Sequence, residues 1–309
     1  MRIVVMGAGG TGGYFGAKLA RAGLDVTFVA RGAHLAGIRA HGLRVKSAIE
    51  GEWVVRAPTV DRLDGLPPAG LVLFCVKSFD TEDAAHAIRP VVGAHTGVLS
   101  IQNGVDNEDT LGRILGPGHV MGGVAQVFAT IEAPGVINHA LLGRIIFGEM
   151  DGKETERVRA TLAACERAGI PAEISPHILR ALWEKYVFIA AAAGMTALTR
   201  LPAGVLRRVP ETRRMYRLLL EEMAALGRAV GAGLADGAVD ACLETLDALG
   251  PTAYSSLHHD LSHGRRLELE ALHGHAVRLG LRHGIATPML FAVYAALRPY
   301  LDGAPRLPG

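Results

Sequence analysis

Residues 2 to 16 read RIVVMGAGGTGGYFG, an apolar β-branched run that passes at once into six glycines in ten positions. Within it, Gly7-Ala8-Gly9-Gly10-Thr11-Gly12 has the G-x-G-x-x-G spacing immediately after a strand and at a helix start, the context in which that spacing marks a dinucleotide site. Each glycine has its own reason. Gly7 permits the tight turn, Gly9 lets a pyrophosphate approach the backbone, and Gly12 lets helix and strand pack closely. The free amides at the helix start, those of Gly10, Thr11 and Gly12, then face the anion. A merely tight strand-helix turn is the plainer reading; the flanking elements favour a bound cofactor. An NAD-binding chain usually carries an acidic residue about 20 positions on, at the end of the second strand. Here DVTFVARG ends in Ala30-Arg31. No carboxylate repels a 2′-phosphate, and Arg31 offers a planar, permanently charged fork to bind one, so the cofactor is read as NADP(H).

The first half repeats short β-branched runs followed by helical stretches, which predicts parallel strands joined by crossover helices. LVLFCV (71 to 76) reads as a central strand, and GVLSI (97 to 101) resembles it. Residues 43 to 60 break the rhythm with a hairpin around Glu50-Gly51, and residues 120 to 149 suggest antiparallel strands. After Pro176 apolar residues recur at helical spacing, as in Leu269, Leu272, Ala276 and Leu279. The chain is therefore expected to be α/β, with a Rossmann dinucleotide-binding domain over 1–174 and an all-helical domain over 175–309. The closing DGAPRLPG reads as a frayed tail.

Composition narrows the function classes. Thirty-two basic against 30 acidic side chains leave a net charge of +2, which is no electrostatic design for nucleic acid. The longest uncharged stretch, Tyr186 to Thr199, has 14 residues, short of the roughly 20 that span a bilayer. Three widely spaced cysteines, Cys75, Cys165 and Cys242, suit neither a thiol metal motif nor a disulfide framework and fit a reducing cytoplasm. His259 and His263, four apart, have metal-ligand spacing, but a solvated helix end is the preferred reading and no metal is assigned. The apolar stripes of the helical half serve an intrachain core or a homodimer equally well.

Further clusters lie where strands end or helices begin. Lys77 follows the 71–76 strand at its carboxyl end, the edge at which open α/β sheets bind ligands. Gln102-Asn103-Gly104 follows the next strand; Asn103 can present an amide to a ligand, and Asn-Gly is equally an ordinary turn. Lys185 stands on an otherwise apolar helix, where it either reaches solvent or points into a site. Ser255-Ser256 precede a helix, with N-capping the plainer reading, and Glu268 opens a later one.

In this order, GAGGTGGYFG, VARG, CVKSFDT, IQNGVDN, LWEKYVF and SSLHHDLSHGRRLELEALHG resemble the ketopantoate reductase (2-dehydropantoate 2-reductase) family over nearly the whole chain. The resemblance implies a Rossmann domain and a helical domain with the active site in the cleft between them. It also implies phosphate-binding glycines at Gly7, Gly9 and Gly12, a 2′-phosphate arginine at Arg31 and a cofactor-site lysine at Lys77. Asn103 matches the asparagine near nicotinamide and substrate, Lys185 the catalytic lysine, Ser256 the substrate serine, and Glu268 the glutamate that bonds the cofactor ribose. The implied reaction is NADPH-dependent reduction of ketopantoate to pantoate, in pantothenate biosynthesis, with Lys185 as general acid.

One departure concerns the substrate. Family members commonly carry asparagines four and eight residues after the catalytic lysine; here Ile189 and Ala193 stand there, on the same helix face. A site built to bond a hydroxyl rejects analogues lacking it by up to about 10⁴ to 10⁵, so this apolar face admits a second reading, a reductase of a more apolar 2-oxo acid. A third reading, a non-catalytic NADP-binding sensor, predicts cofactor binding without turnover.

Overall fold

The computed structural model describes residues 1–305; the end of the tail, 306–309, lies outside the described residues. Among them, ten strands form one sheet: β1 (Arg2–Met6), β2 (Asp25–Val29), β3 (Leu43–Ser47), β4 (Gly51–Val55), β5 (Thr59–Val60), β6 (Leu71–Phe74), β7 (Gly97–Ser100), β8 (Val120–Ala133), β9 (Val136–Glu149) and β10 (Ala172–Ile174). Their order is β4-β3-β9-β8-β7-β6-β1-β2-β5, with β10 on the other path from β9. From β8 to β5 every neighbouring pair is parallel. β6 and β1 lie at the centre of that run, which is why β6 is apolar throughout and β1 is apolar at every position after Arg2: both faces are covered. Along β1, Ile3 and Val5 enter one apolar cluster with Phe15 of α1 (Gly10–Arg21), while Val4 and Met6 enter another with Ile88 of α3 (Thr81–Ile88) and Leu111 of α4 (Asn107–Leu115). The period of two is the pleat itself.

The interruption at 43 to 60 is a sheet-edge hairpin over its first part only, β3 and β4 pairing antiparallel from Leu43↔Val55 to Ser47↔Gly51, while β5 at its end pairs parallel with β2 at the other edge. β8 and β9 form a long antiparallel ribbon whose turn passes through Gly135 at φ +77°. Helices α2 (Gly32–His41) and α5 (Glu156–Arg167) complete this part.

Two compact units are distinguished: residues 1–102 with 107–181, and residues 103–106 with 182–309. The second is helical. It is built from α6 (Ile178–Thr199), of which the first four residues belong to the sheet unit, then α7 (Ala203–Leu206), α8 (Pro210–Ala229), α9 (Ala238–Ala248), α10 (Ser256–Ser262), α11 (His275–His283) and α12 (Pro288–Leu297). Prolines open α8 and α12, where the missing amide costs no hydrogen bond. Tyr186, Val187 and Ala190 of α6, Leu219, Leu220 and Met223 of α8, and Leu290, Val293 and Leu297 of α12 share one core, each set at the spacing that puts it on one helix face. No helix among the described residues is long and apolar enough to cross a membrane.

Candidate cofactor and active site

The glycines after β1 differ in what surrounds them. Gly7 has φ +97°, and a Cβ there would stand 3.0 Å from the Val76 amide nitrogen, so both conformation and space demand glycine. A Cβ on Gly12 would meet the Gly7 carbonyl at 2.2 Å and Cys75 Cβ at 2.9 Å, which is the close approach of helix to strand. Gly9 N-caps α1 with nothing within 4 Å of its Cβ position, leaving the backbone open beside the first amides of the helix. No acidic residue stands in the first turn of α1, where the half-buried Thr11 sits. An open backbone, unpaired helix-start amides and no nearby carboxylate on that turn fit a dinucleotide pyrophosphate. Gly10 has a packing role that spacing did not reveal: a Cβ would fall 2.1 Å from the Ala129 carbonyl of β8.

Arg31 is exposed and N-caps α2 in extended conformation, two residues past β2, with no acidic residue in the first turn of that helix either. Sequence reading missed His34. Its Nδ1 accepts from the Gly135 amide at 3.1 Å, so the neutral ring carries its proton on Nε2 and donates to the Ala8 carbonyl at 2.8 Å. Burial pushes the His34 pKa down, against the opposing effect of the Ala8 bond. The ring thereby joins the glycine turn, α2 and the β8–β9 turn, through partners 26 and 101 positions away in sequence.

Lys77 follows β6, half-buried, at the head of a short 3-10 turn over Ser78–Asp80. Gln102, just past the neighbouring strand β7, is buried and donates from Nε2 to the Val76 carbonyl and to Thr81 Oγ1, each at 2.9 Å. Thr81 Oγ1 in turn donates to the Ser78 carbonyl at 2.8 Å. One carboxamide thus ties the carboxyl ends of two parallel strands, and Lys77 leaves from within that tie. Asn103 follows, half-buried, and Gly104 turns at φ +101°. The turn reading of Asn-Gly holds alongside any chemical role.

Lys185 lies half-buried on α6 between the buried Trp183 and Tyr186. Ile189, half-buried, and Ala193, 3% exposed, follow at intervals of four, which keeps them on its face. Capping at α10 falls to Ser255, whose Oγ accepts the His258 amide at 3.1 Å. Thr196 Oγ1 donates to the Ala192 carbonyl at 2.7 Å and so receives the Ser255 hydroxyl, also at 2.7 Å. Ser256, one residue on, is spared the cap and is exposed. Glu268, 6% exposed, stands one residue before the helical turn at Leu269 that runs into a π-helix over Glu270–Gly274. Asn103, Lys185, Ile189, Ala193, Ser256 and Glu268 all fall in the helical unit, whereas Gly7, Gly9, Gly10, Thr11, Gly12, Arg31 and Lys77 fall in the sheet unit. The rings of His259 and His263 lie with centroids 4.2 Å apart and planes tilted by 38°, and no group of three metal-ligating side chains occurs among the described residues.

The model of the family described as ketopantoate reductase PanE/ApbA matches residues 3–152, and that of its C-terminal part matches residues 177–301. The chain belongs to the ketopantoate reductase family. A 2-dehydropantoate 2-reductase of Mesorhizobium japonicum is 31% identical over 320 residues, covering 96% of this chain and 97% of that protein. An uncharacterized oxidoreductase of Bacillus subtilis, YkpB, is 29% identical over 303 residues, 97% of this chain and 99% of that one. The crystal structure of a PanE/ApbA family ketopantoate reductase from Ralstonia eutropha superposes with a TM-score of 0.90 at 35% identity, over 97% of this chain and 98% of that one. Ketopantoate reductases are oxidoreductases acting on 2-oxo acids with a nicotinamide dinucleotide.

Proposed function

We propose that this chain is an NADPH-dependent 2-dehydropantoate 2-reductase in which Lys185 is the general acid. The observation that carries the reading is a half-buried lysine on α6, next to the exposed Glu184 and followed by the uncharged run Tyr186 to Thr199, in the same compact unit as Asn103, Ser256 and Glu268. A reduced nicotinamide, when bound, supplies the hydride. As the C2 ketone is reduced, negative charge develops on its oxygen; the Lys185 ammonium stabilises that charge and then transfers its proton to the oxygen, giving the alcohol and a neutral amine that solvent reprotonates. Asn103 and Ser256 hold the substrate by neutral hydrogen bonds to its carboxylate and hydroxyl. Gly7, Gly9, Gly10, Thr11 and Gly12 receive the pyrophosphate, Arg31 the 2′-phosphate, Lys77 the cofactor, and Glu268 a ribose hydroxyl. The three cysteines are free thiols, in keeping with a reducing cytoplasm.

The apolar pair Ile189 and Ala193 supports the second reading, in which the preferred substrate is a branched 2-oxo acid without ketopantoate's hydroxyl. Both readings are separated by following nicotinamide absorbance with purified protein, NADPH or NADH, and a panel of 2-oxo acids including ketopantoate. The first predicts the highest kcat/KM with NADPH and ketopantoate. A higher value for an apolar 2-oxo acid favours the second, and cofactor binding with no turnover on any member of the panel contradicts both.

A further inference from the structure

Residues 103–106 follow a strand of the sheet unit yet group with the helical one. Two contacts hold them there. Val105 packs against the apolar core of the helical unit, and Asp106 Oδ2 lies 3.3 Å from His275 Nδ1, with side-chain exposures of 37% and 15%. Burial pushes the Asp106 carboxyl up, but its hydrogen bond to His275 and the charges of His275 and Arg278 outweigh that and hold it below the usual carboxylate range. His275 opens α11 directly after the π-helix, seven residues past Glu268. Asp106 is three residues past Asn103, with Gly104 at φ +101° between them. Gln102 fixes the chain just before Asn103 through its bonds to Val76 and Thr81, and the Asp106–His275 contact fixes it beyond the Gly104 turn. We propose that the Asp106–His275 pair is a clasp that positions the Asn103 carboxamide relative to Glu268, making Asp106 and His275 positioning residues for the reduction.

The inference rests on the substrate-binding role given to Asn103, and a double-mutant cycle tests the two separately. Steady-state kinetics and thermal melts are measured on the full chain for Asn103→Ala, Asp106→Ala, His275→Ala and the double variant Asn103→Ala/Asp106→Ala. Asp106→Ala and His275→Ala are each expected to lower kcat by roughly tenfold to 10²-fold, the scale of a misplaced contact. In the Asn103→Ala background, Asp106→Ala is expected to cost less than about twofold, because the group it positions is gone. Equal losses in both backgrounds overturn the clasp, and so does full activity of Asp106→Ala when Asn103→Ala is impaired. Full activity of Asn103→Ala overturns the role of Asn103 and the clasp with it. Should Asp106→Ala lose its cooperative melt, the isosteric Asp106→Asn takes its place in the cycle with the same outcomes.

Discussion

Gly9 and Gly12, three residues apart, differ in what they tolerate. Gly12→Ala drives a methyl to 2.2 Å from the Gly7 carbonyl, a backbone group that cannot retreat without opening the turn. Overpacking of this kind costs about 1–3 kcal/mol, read as a fall in the thermal midpoint. Gly9→Ala adds its methyl to open space at a φ of −70° that alanine adopts freely, so the melt should stay near wild type. That same space is where the pyrophosphate is proposed to approach, and NADPH affinity should drop by about tenfold or more, a loss of about 1.4 kcal/mol. Wild-type NADPH titration of Gly9→Ala would contradict the assignment. The tight turn at Gly7 and the close packing at Gly12 were legible because both lie within six residues of one another. The tie made by Gln102 and the bridge made by His34 were not, since each depends on partners brought together only by the sheet.

At the scale of elements, the apolar β-branched runs of β1, β2, β6 and β7 and the edge hairpin β3–β4 were readable because burial on both faces, or a tight turn, leaves a plain mark in composition. The π-helix was not. Leu269, Leu272, Ala276 and Leu279 keep an α-like spacing straight through it, so the pattern conceals the wider turn. Inside that turn His273 is fully buried; it donates from Nε2 to the Ala190 carbonyl at 2.9 Å, and its Nδ1 has no partner among the described residues. Gly194 makes room for the ring, since a Cβ there would lie 2.8 Å from Nε2. Burial lowers the His273 pKa from 6.5 to about 4, against the opposing effect of its Ala190 bond. Between those values the unfolded chain holds a proton that the folded one refuses, so stability falls as pH drops through the window and this loss is complete below it. At about 1.4 kcal/mol per unit, the loss approaches about 3 kcal/mol. His273→Asn, which removes the titration, should lose correspondingly less stability from pH 7 to pH 4 in urea melts. Parallel losses in both proteins would show that His273 does not drive the acid sensitivity.

Across the whole molecule, a sheet-rich half followed by a helical half was visible in the change of apolar period after Pro176, and six motifs in order pointed to one family. Less visible was the grouping of Asn103 with the helical unit, because β7 runs directly into it in sequence. The substrate is the least legible feature. If Ile189 and Ala193 line the site as proposed, they mark where polar contacts are absent, and an absence narrows a ligand less than a donor does. The proposed chemistry depends less on that choice than on the role proposed for Lys185. Its truncation is therefore the most direct test: Lys185→Ala should lower kcat with NADPH and the preferred 2-oxo acid by about 10²- to 10⁴-fold, while NADPH affinity in a direct fluorescence titration stays within about twofold of wild type. Turnover at the wild-type rate in Lys185→Ala would contradict the account.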